Sequence, residues 1–229
     1  MNEIITKRKS IRKYEQTPLD DAGLSKVRDK IADVKPLYPD IRYSIDIASK
    51  TKGIFNIKAP HYLIFGSEEK EGAYENIGFI GQQMDLFLSE SGFGSCWLGM
   101  AKPEERAAGA LPFVISMAFG KPAEPLYRGF SEFKRKPLPE ISEGEDDRLE
   151  AARLAPSGMN AQNWYFIAEA GKIHCYRKKP LISITAARLG HIDMGIALCH
   201  IARESREFNF ITEENPPQRK GCIYLGTVV

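Results

Sequence analysis

Apolar residues recur at spacings of three and four in several stretches of the chain, and this periodicity predicts helices. We predict them at about residues 18–35, 74–90, 147–154 and 191–208. Pro18 suits the first turn of the first helix, because proline fixes a helical φ and no donor is needed there. The last helix is apolar nearly all round, which predicts that it is buried on most sides.

Short apolar runs that end in glycine or a turn pattern predict strands. Ala170 and Gly171 separate two of these runs and predict a hairpin. Residues 36–58 show few clear signals and are assigned to loop and irregular helix. The predicted strands cover residues 62–65, 113–119, 164–168, 173–177, 222–225 and 227–229, and residues 96–99 are assigned to a strand end or a turn.

Residues 139–147 are acidic with almost no apolar content, which predicts a linker or the capped start of the next helix. On each side of this stretch the order is the same: strand, connection, long apolar helix. An alignment of the two long helices pairs Met84 with Leu198. A chain of 229 residues fits one large domain or two small ones, and the repeat divides it into halves 1–138 and 139–229.

Composition narrows the class of protein. The net charge of +2 offers no general attraction for nucleic acid, and 43% hydrophobic residues suffice for a sizeable core. The four cysteines form no CxxC pair and suit a reducing compartment. The charged N-terminus lacks a signal-peptide pattern, and no apolar run is long enough to span a membrane. We therefore expect a cytoplasmic protein without a membrane partner.

Arg8, Ser10 and Arg12 alternate near the N-terminus. In an extended segment alternate side chains face the same way, so two guanidinium groups and a hydroxyl would lie on one side. Guanidinium binds phosphate bidentately, and this set suits a phosphate monoester. The alternative is a basic arm that is solvated or contacts nucleic acid.

A second segment, residues 155–164, combines a helix-ending proline, a glycine and two amides. Pro156 ends the preceding helix, and Gly158 allows the backbone to come close to a ligand. Asn160 and Gln162 each carry a donor and an acceptor, which can bind the edge of a flat heterocycle. The alternative is a polar turn that ties down a loop.

Together the two segments resemble the signatures of the FMN-dependent nitroreductase family. Residues 94–99, 120–124 and 134–138 resemble further family segments, so the resemblance covers nearly the whole chain. In that family both signatures lie near the N-terminus of one subunit, and a homodimer builds each site from one signature of each subunit. Here they lie far apart in one chain. The resemblance therefore implies a nitroreductase-like α+β fold in which two tandem halves, each with a sheet packed on long helices, mimic the homodimer.

The resemblance also implies one FMN per chain, held in the cleft between the halves. It implies no catalytic side chain, because the flavin supplies the reactive atom. We expect no metal, since the four histidines share no metal-ligand spacing, and we expect His200 to pair with Asp193. The implied FMN-binding residues are Arg8, Lys9, Ser10, Arg12, Leu98, Gly99, Lys134, Arg135, Pro156, Ser157, Gly158, Asn160 and Gln162.

The implied function is FMN-dependent NAD(P)H oxidoreduction. A hydride from NADH or NADPH would pass through flavin N5, in ping-pong fashion, to a nitroaromatic, quinone or similar small-molecule acceptor. A monomer would suffice for this, and further dimerisation stays open. The alternatives are a flavin-binding protein without nicotinamide-driven turnover and a nucleic-acid-binding protein that uses the basic N-terminus. The balanced charge and the 155–164 segment count against the last.

Overall fold

The computed structural model describes residues 1–54, 56–179 and 184–229 of the chain. Two sheets lie on a central pair of long helices, and one contiguous apolar core contains side chains from both sheets and both helices. The helices are α1 Asp21–Asp33, α2 Ala73–Glu90, α3 Leu138–Ile141, α4 Arg148–Leu154 and α5 Ile184–Glu204. This arrangement confirms the predicted α+β class.

The strands fall into two large sheets and a small ribbon. The first sheet has the order β1-β3-β6-β4, the second has the order β10-β11-β9-β8-β7, and β2 pairs with β5. The strands are β1 Tyr43–Ala48, β2 Thr51–Gly53, β3 His61–Ser67, β4 Gly94–Leu98, β5 Ala101–Pro103, β6 Phe113–Gly120, β7 Ser142–Glu143, β8 Trp164–Glu169, β9 Lys172–Lys178, β10 Phe210–Ile211 and β11 Cys222–Val228.

The two large sheets share one topology. In the first, the chain makes β1 and β3, crosses through α2, and returns as β4 on the outside and β6 next to β3. In the second, it makes β8 and β9, crosses through α5, and returns as β10 on the outside and β11 next to β9. All of these neighbours are antiparallel. Only β7, which adds parallel to β8, has no counterpart among the described strands.

The long helices α2 and α5 meet through reciprocal glycine contacts. A Cβ on Gly78 would lie 2.1 Å from the carbonyl oxygen of Ile192, and a Cβ on Gly195 would lie 2.0 Å from that of Glu75. Each glycine is thus in contact with the residue that lies three positions before the other glycine in the chain. Such reciprocity is the pattern of a two-fold interface, in which residue i contacts j and j contacts i.

This crossing corrects the register of the sequence alignment. When Gly78 corresponds to Gly195, Met84 corresponds to Ile201 rather than to Leu198. The buried α5 was predicted well, since Ile192, Met194, Ile196, Leu198, Cys199 and Ile201 are all nearly inaccessible. The helix begins earlier than predicted, at Ile184, and ends at Glu204.

Three local predictions were wrong. Pro18 lies before α1, which begins at Asp21 with the Asp20 side chain accepting from Gly23 N. Residues 36–58 were assigned to loop and irregular helix, but they contain β1 and β2. The predicted linker 139–147 contains most of α3 and the strand β7. The predicted hairpin is confirmed, with Ala170 and Gly171 in the left-handed region between β8 and β9.

Candidate functional site

The N-terminal segment lies extended along the first sheet. Bridges join Arg8 to Tyr127 and Tyr14 to Pro122. Between them, Ile11 donates its N–H to the Ser95 carbonyl at 2.9 Å and buries its side chain completely. Because the Ile11 side chain faces inward, the side chains immediately before and after it in this extended segment point to the opposite side.

Arg8 is almost fully buried, which is rare for an arginine unless it is paired. Its Nε lies 3.1 Å from Asp85 Oδ2 as an ion pair, and its Nη2 donates to Ser10 Oγ at 3.3 Å. Its Nη1 has no hydrogen-bond acceptor in the described part of the chain, and Nε contacts Asp85 as an ion pair without forming a hydrogen bond. A buried, charged donor without an acceptor calls for an explanation, and a bound anion provides one.

The second signature forms a tight turn after α4. Three of its residues that are not glycine, Met159, Asn160 and Gln162, adopt positive φ values of 51°, 57° and 49°. Such conformations cost free energy and persist where the surroundings fix them. Ser157 Oγ accepts from Gln162 N at 3.0 Å, and Gly158 N donates to Asp193 Oδ1 at 2.9 Å. The turn is therefore anchored to α5 as well as to itself.

The two amides of the turn bind the basic segment 134–136. Asn160 Nδ2 donates to the Lys134 carbonyl at 2.7 Å, and Asn160 Oδ1 accepts from Arg135 Nη1 at 2.6 Å. Gln162 Oε1 accepts from Lys136 N at 2.8 Å, and its Nε2 donates to the Asn160 carbonyl at 3.0 Å. The side-chain amides of both residues thus form hydrogen bonds within the protein and do not project freely into the cavity.

These segments enclose one cavity of about 510 Å³, a volume within the usual range of small-molecule sites. Its walls come from the N-terminal segment, the stretch 124–135 and the turn after α4. The predicted residues that line it are Arg8, Lys9, Ser10, Arg12, Lys134, Arg135, Pro156, Ser157 and Asn160. Four lining residues were not predicted: Glu124, Arg128, Glu132 and Met159.

Four predicted residues do not line this cavity. Leu98 is buried in a small apolar cluster, whereas Gly99 is exposed. Gly158 belongs to the turn and donates to Asp193 of α5, and Gln162 is buried. A Cβ on Gly99 would lie 3.5 Å from Leu189, and one on Gly158 would lie 3.8 Å from the same side chain. Gly99 and Gly158 therefore both lie against the Leu189 side chain, and neither lines the cavity.

The cavity is strongly positive. Six of its lining side chains are basic, and two, Glu124 and Glu132, are acidic. Burial, together with the positive charge of Arg8, lowers the pKa of Arg128 and of Arg135 to about 10. The pKa of Glu124 is lowered mainly by the hydrogen bond from Arg12 N. Like charges crowded into one cavity repel each other, so an anionic ligand would be bound favourably.

The histidines do not form the predicted pair. His200 is fully buried, and its ring contacts Gln82 Nε2 at 3.1 Å and the Ala151 carbonyl at 2.9 Å. Asp193 instead accepts from Gly158, so the expected contact between His200 and Asp193 was wrong. Within the ranges that the structure describes, no group of His, Cys, Asp and Glu could hold a metal ion.

One residue beneath the cavity was missed although the sequence signalled it. Asp85 lies in the apolar face of α2 and is completely buried. A carboxylate that is completely buried requires a partner, and Arg8 is that partner. Arg128 and Glu132 gave no comparable signal, because charged residues in a loop are ordinarily solvated.

No described helix has the length and hydropathy of a membrane span.

A family model described as "Putative TM nitroreductase" matches residues 1–205 of the chain. A crystal structure described as a "putative nitroreductase" from Thermotoga maritima MSB8 shares 23% identity with a TM-score of 0.64, covering 99% of this chain and 90% of that one. A nitroreductase family protein from Clostridium difficile 630 shares 18% identity with a TM-score of 0.52, covering 64% of this chain and 99% of that one. Both likenesses show the fold alone. No curated protein matches this chain in sequence.

Proposed function

The chain belongs to the nitroreductase family whose model matches residues 1–205, and we propose that it acts as an FMN-dependent NAD(P)H oxidoreductase. The observation that carries this proposal is the basic cavity between the N-terminal segment and the turn after α4. FMN bound there would accept a hydride from NADH or NADPH and pass electrons to a nitroaromatic, a quinone or a similar acceptor.

The residues present fit the phosphate of FMN. Arg8 Nη1 and Arg135 Nε are buried and have no acceptor in the described part of the chain. Ser10, Arg12 and Lys134 add a hydroxyl and two cations along the same cavity. Guanidinium and ammonium donors in this number suit a phosphate monoester, which carries close to two negative charges at neutral pH.

The turn after α4 would bind the ring of FMN. Pro156, Ser157 and the exposed Met159 line the cavity there, and the Leu189 side chain lies against Gly158. Asn160 and Gln162 would act by fixing the turn and Arg135, because their amides already bind segment 134–136. No side chain is required as a general base for hydride transfer. The chain would therefore bind and orient the cofactor and exclude water from it.

We further propose that residues 1–138 and 139–229 are two tandem halves that mimic a family homodimer. The common topology of the two large sheets and the reciprocal contacts of Gly78 and Gly195 support this proposal. The cavity would then lie between the halves, with Arg8 from the first and Ser157 from the second. A monomer would hold a complete site.

Visible absorption of the purified protein tests the proposed activity. The protein, as isolated or after addition of FMN, is expected to show a flavin spectrum that bleaches when NADPH or NADH is added without oxygen. The Arg8→Met variant should bind FMN more weakly. A protein that stays colourless with excess FMN would contradict the proposal, and a colour that neither nicotinamide bleaches would leave only flavin binding.

A further inference from the structure

A buried polar chain lies beneath the cavity, between α2 and α5, and nothing described so far uses it. Its centre is the carboxylate of Asp85. Oδ1 accepts from Ser95 Oγ at 2.5 Å, and Oδ2 accepts from Gln82 Nε2 at 2.9 Å and lies 3.1 Å from Arg8 Nε. All four side chains are at most 2% exposed, so water does not compete for these contacts.

The chain continues from Gln82 to the second half. Gln82 Nε2 also lies 3.1 Å from His200 Nε2, and Trp97 Nε1 donates to Gln82 Oε1 at 3.3 Å. His200 Nδ1 lies 2.9 Å from the Ala151 carbonyl, which can only accept. Burial lowers the pKa of His200 to about 3, so its ring is neutral, with the proton on Nδ1 and Nε2 as the acceptor.

The direction of every hydrogen bond in this chain is therefore fixed. The Gln82 amide donates to both Asp85 and His200, His200 donates to Ala151, and Ser95 donates to Asp85. One end of the chain is Arg8, on the N-terminal wall of the cavity. The other end is α4, which leads directly into the opposite wall at Pro156 and Ser157.

A purely stabilising role explains this arrangement poorly. Removing two charges from water costs several kcal/mol each, and apolar residues of similar size often stabilise a core equally well or better. What a buried ion pair does provide is a fixed orientation. Asp85 lies 3.1 Å from Nε of Arg8 as an ion pair, and both Nε and Nη1 lack a hydrogen-bond acceptor in the described part of the chain. The ion pair thus fixes the position of a guanidinium that lines the cavity and keeps donors available.

We propose that Asp85 is a positioning residue that orients the Arg8 guanidinium toward the phosphate of the bound cofactor, and that Gln82 and His200 tie this orientation to the opposite wall. The inference rests on the proposed function for the identity of the cofactor. The geometry of the Arg8–Asp85 pair does not depend on that identity.

Asp85→Asn separates positioning from the two other roles that a buried carboxylate can have. If Asp85 positions Arg8, the Kd of FMN should rise on the order of tenfold or more while that of riboflavin, which lacks the phosphate, changes less than about twofold. If Asp85 only stabilises the fold, the Kd values of FMN and of riboflavin would rise equally in the folded variant. If the negative charge of Asp85 only repels the phosphate of FMN, the variant would bind FMN more tightly than the wild type does. Either of these last two results overturns the proposal.

Glu75→Gln is the matched control. Glu75 is a buried carboxylate on the same helix, and its partner is His191 rather than a residue of the cavity. This variant should keep the wild-type ratio of FMN to riboflavin affinity even if it is less stable. Ser95→Ala, which removes one support of Asp85 without changing charge, should lower that ratio partway and serves if Asp85→Asn does not fold.

Inorganic phosphate distinguishes failure of this inference from failure of the proposed function. A wild-type protein that binds neither FMN nor riboflavin would overturn the function alone. Phosphate should still raise the thermal midpoint of the wild type, and this rise should be lost in both Arg8→Met and Asp85→Asn. A rise that persists undiminished in Asp85→Asn would overturn the positioning role, whatever the flavin results are.

Discussion

Asn160 shows what sequence could and could not predict about single residues. Its type and position predicted a residue of the binding site, and in the structure it lines the cavity. Its contacts were not predictable, because the amide binds Lys134 and Arg135, which approach it only through the tertiary fold. The positive φ of Met159 was likewise invisible in the sequence, since methionine does not favour that conformation.

Asn160→Ala is expected to weaken FMN binding about tenfold or more, because Arg135 loses the acceptor that holds it at the cavity. A fluorescence titration with FMN measures the change. Asn209→Ala provides the control, since Asn209 is an exposed asparagine outside the cavity. Equal affinities of both variants would show that the amide of Asn160 does not contribute to the site.

Asp193 gives the turn a dependence on pH. Burial raises its pKa from the ordinary 3.8 to about 7, although the hydrogen bond from Gly158 opposes the shift. Between these two values the unfolded chain has released the proton that the folded chain retains, so this group makes stability fall as pH rises from about 4 to about 7. Below pH 4 both states are protonated and the effect vanishes.

Asp193→Asn removes this titration and retains an oxygen that can accept from Gly158. The free energy of unfolding of the variant, relative to wild type, is therefore expected to increase with pH by a few kcal/mol at most between pH 4 and pH 7. Urea denaturation at several pH values measures it. A difference that stays constant across this range would contradict the raised pKa.

At the scale of elements, the long periodic helices were predicted best. Helix α2 was predicted at 74–90 and runs from Ala73 to Glu90, because its apolar spacing leaves little choice. Strand β1 was missed although Tyr43, Ile45 and Ile47 alternate along it and pack against the core. An edge strand with one partly exposed face carries a weak signal, and β7 is only two residues long.

The crossing of α2 and α5 depends on two glycines, which yields a prediction for this pair of elements. Gly78→Ala or Gly195→Ala would place a methyl group within about 2.1 Å of a backbone oxygen, so the helices must separate. We expect the free energy of unfolding to fall by about 3 kcal/mol in each variant. Gly190→Ala, in the same helix α5, meets only the flexible side chain of Arg177 and should cost far less.

Thermal and chemical denaturation of these three variants measures the effect. Equal stability of Gly78→Ala and Gly190→Ala would show that the helices can move apart without cost. The reciprocity also predicts that Gly78→Ala and Gly195→Ala are not additive, because one separation of the helices relieves both contacts.

At the scale of the molecule, the crossing indicates where a second site would lie. The positions that correspond to His200, Gln82 and Asp85 are Gln83, Cys199 and Ala202, and these line a smaller cavity of about 200 Å³. The volume is below that of ordinary cofactor sites. Alanine also replaces the carboxylate that holds Arg8. In the proposed tandem arrangement, the position equivalent to the large cavity would therefore lack its chemistry.

Titration of the apo-protein with FMN should therefore saturate at one equivalent per chain. Arg12→Ala should weaken binding, whereas Arg203→Ala, an arginine of the smaller cavity, should leave it unchanged. Equilibrium dialysis counts the bound flavin directly. Saturation at two equivalents, or a loss of affinity in Arg203→Ala equal to that in Arg12→Ala, would contradict the assignment of a single site.

Both walls of the large cavity belong to one continuous chain, and this has a consequence for behaviour on dilution. A site shared by two separate subunits comes apart once the protein concentration falls below the dimer dissociation constant. Here Arg8 and Ser157 stay at a local concentration set by the chain itself. Cofactor affinity should consequently be the same at nanomolar and micromolar protein, even at a copy number too low to sustain a dimer.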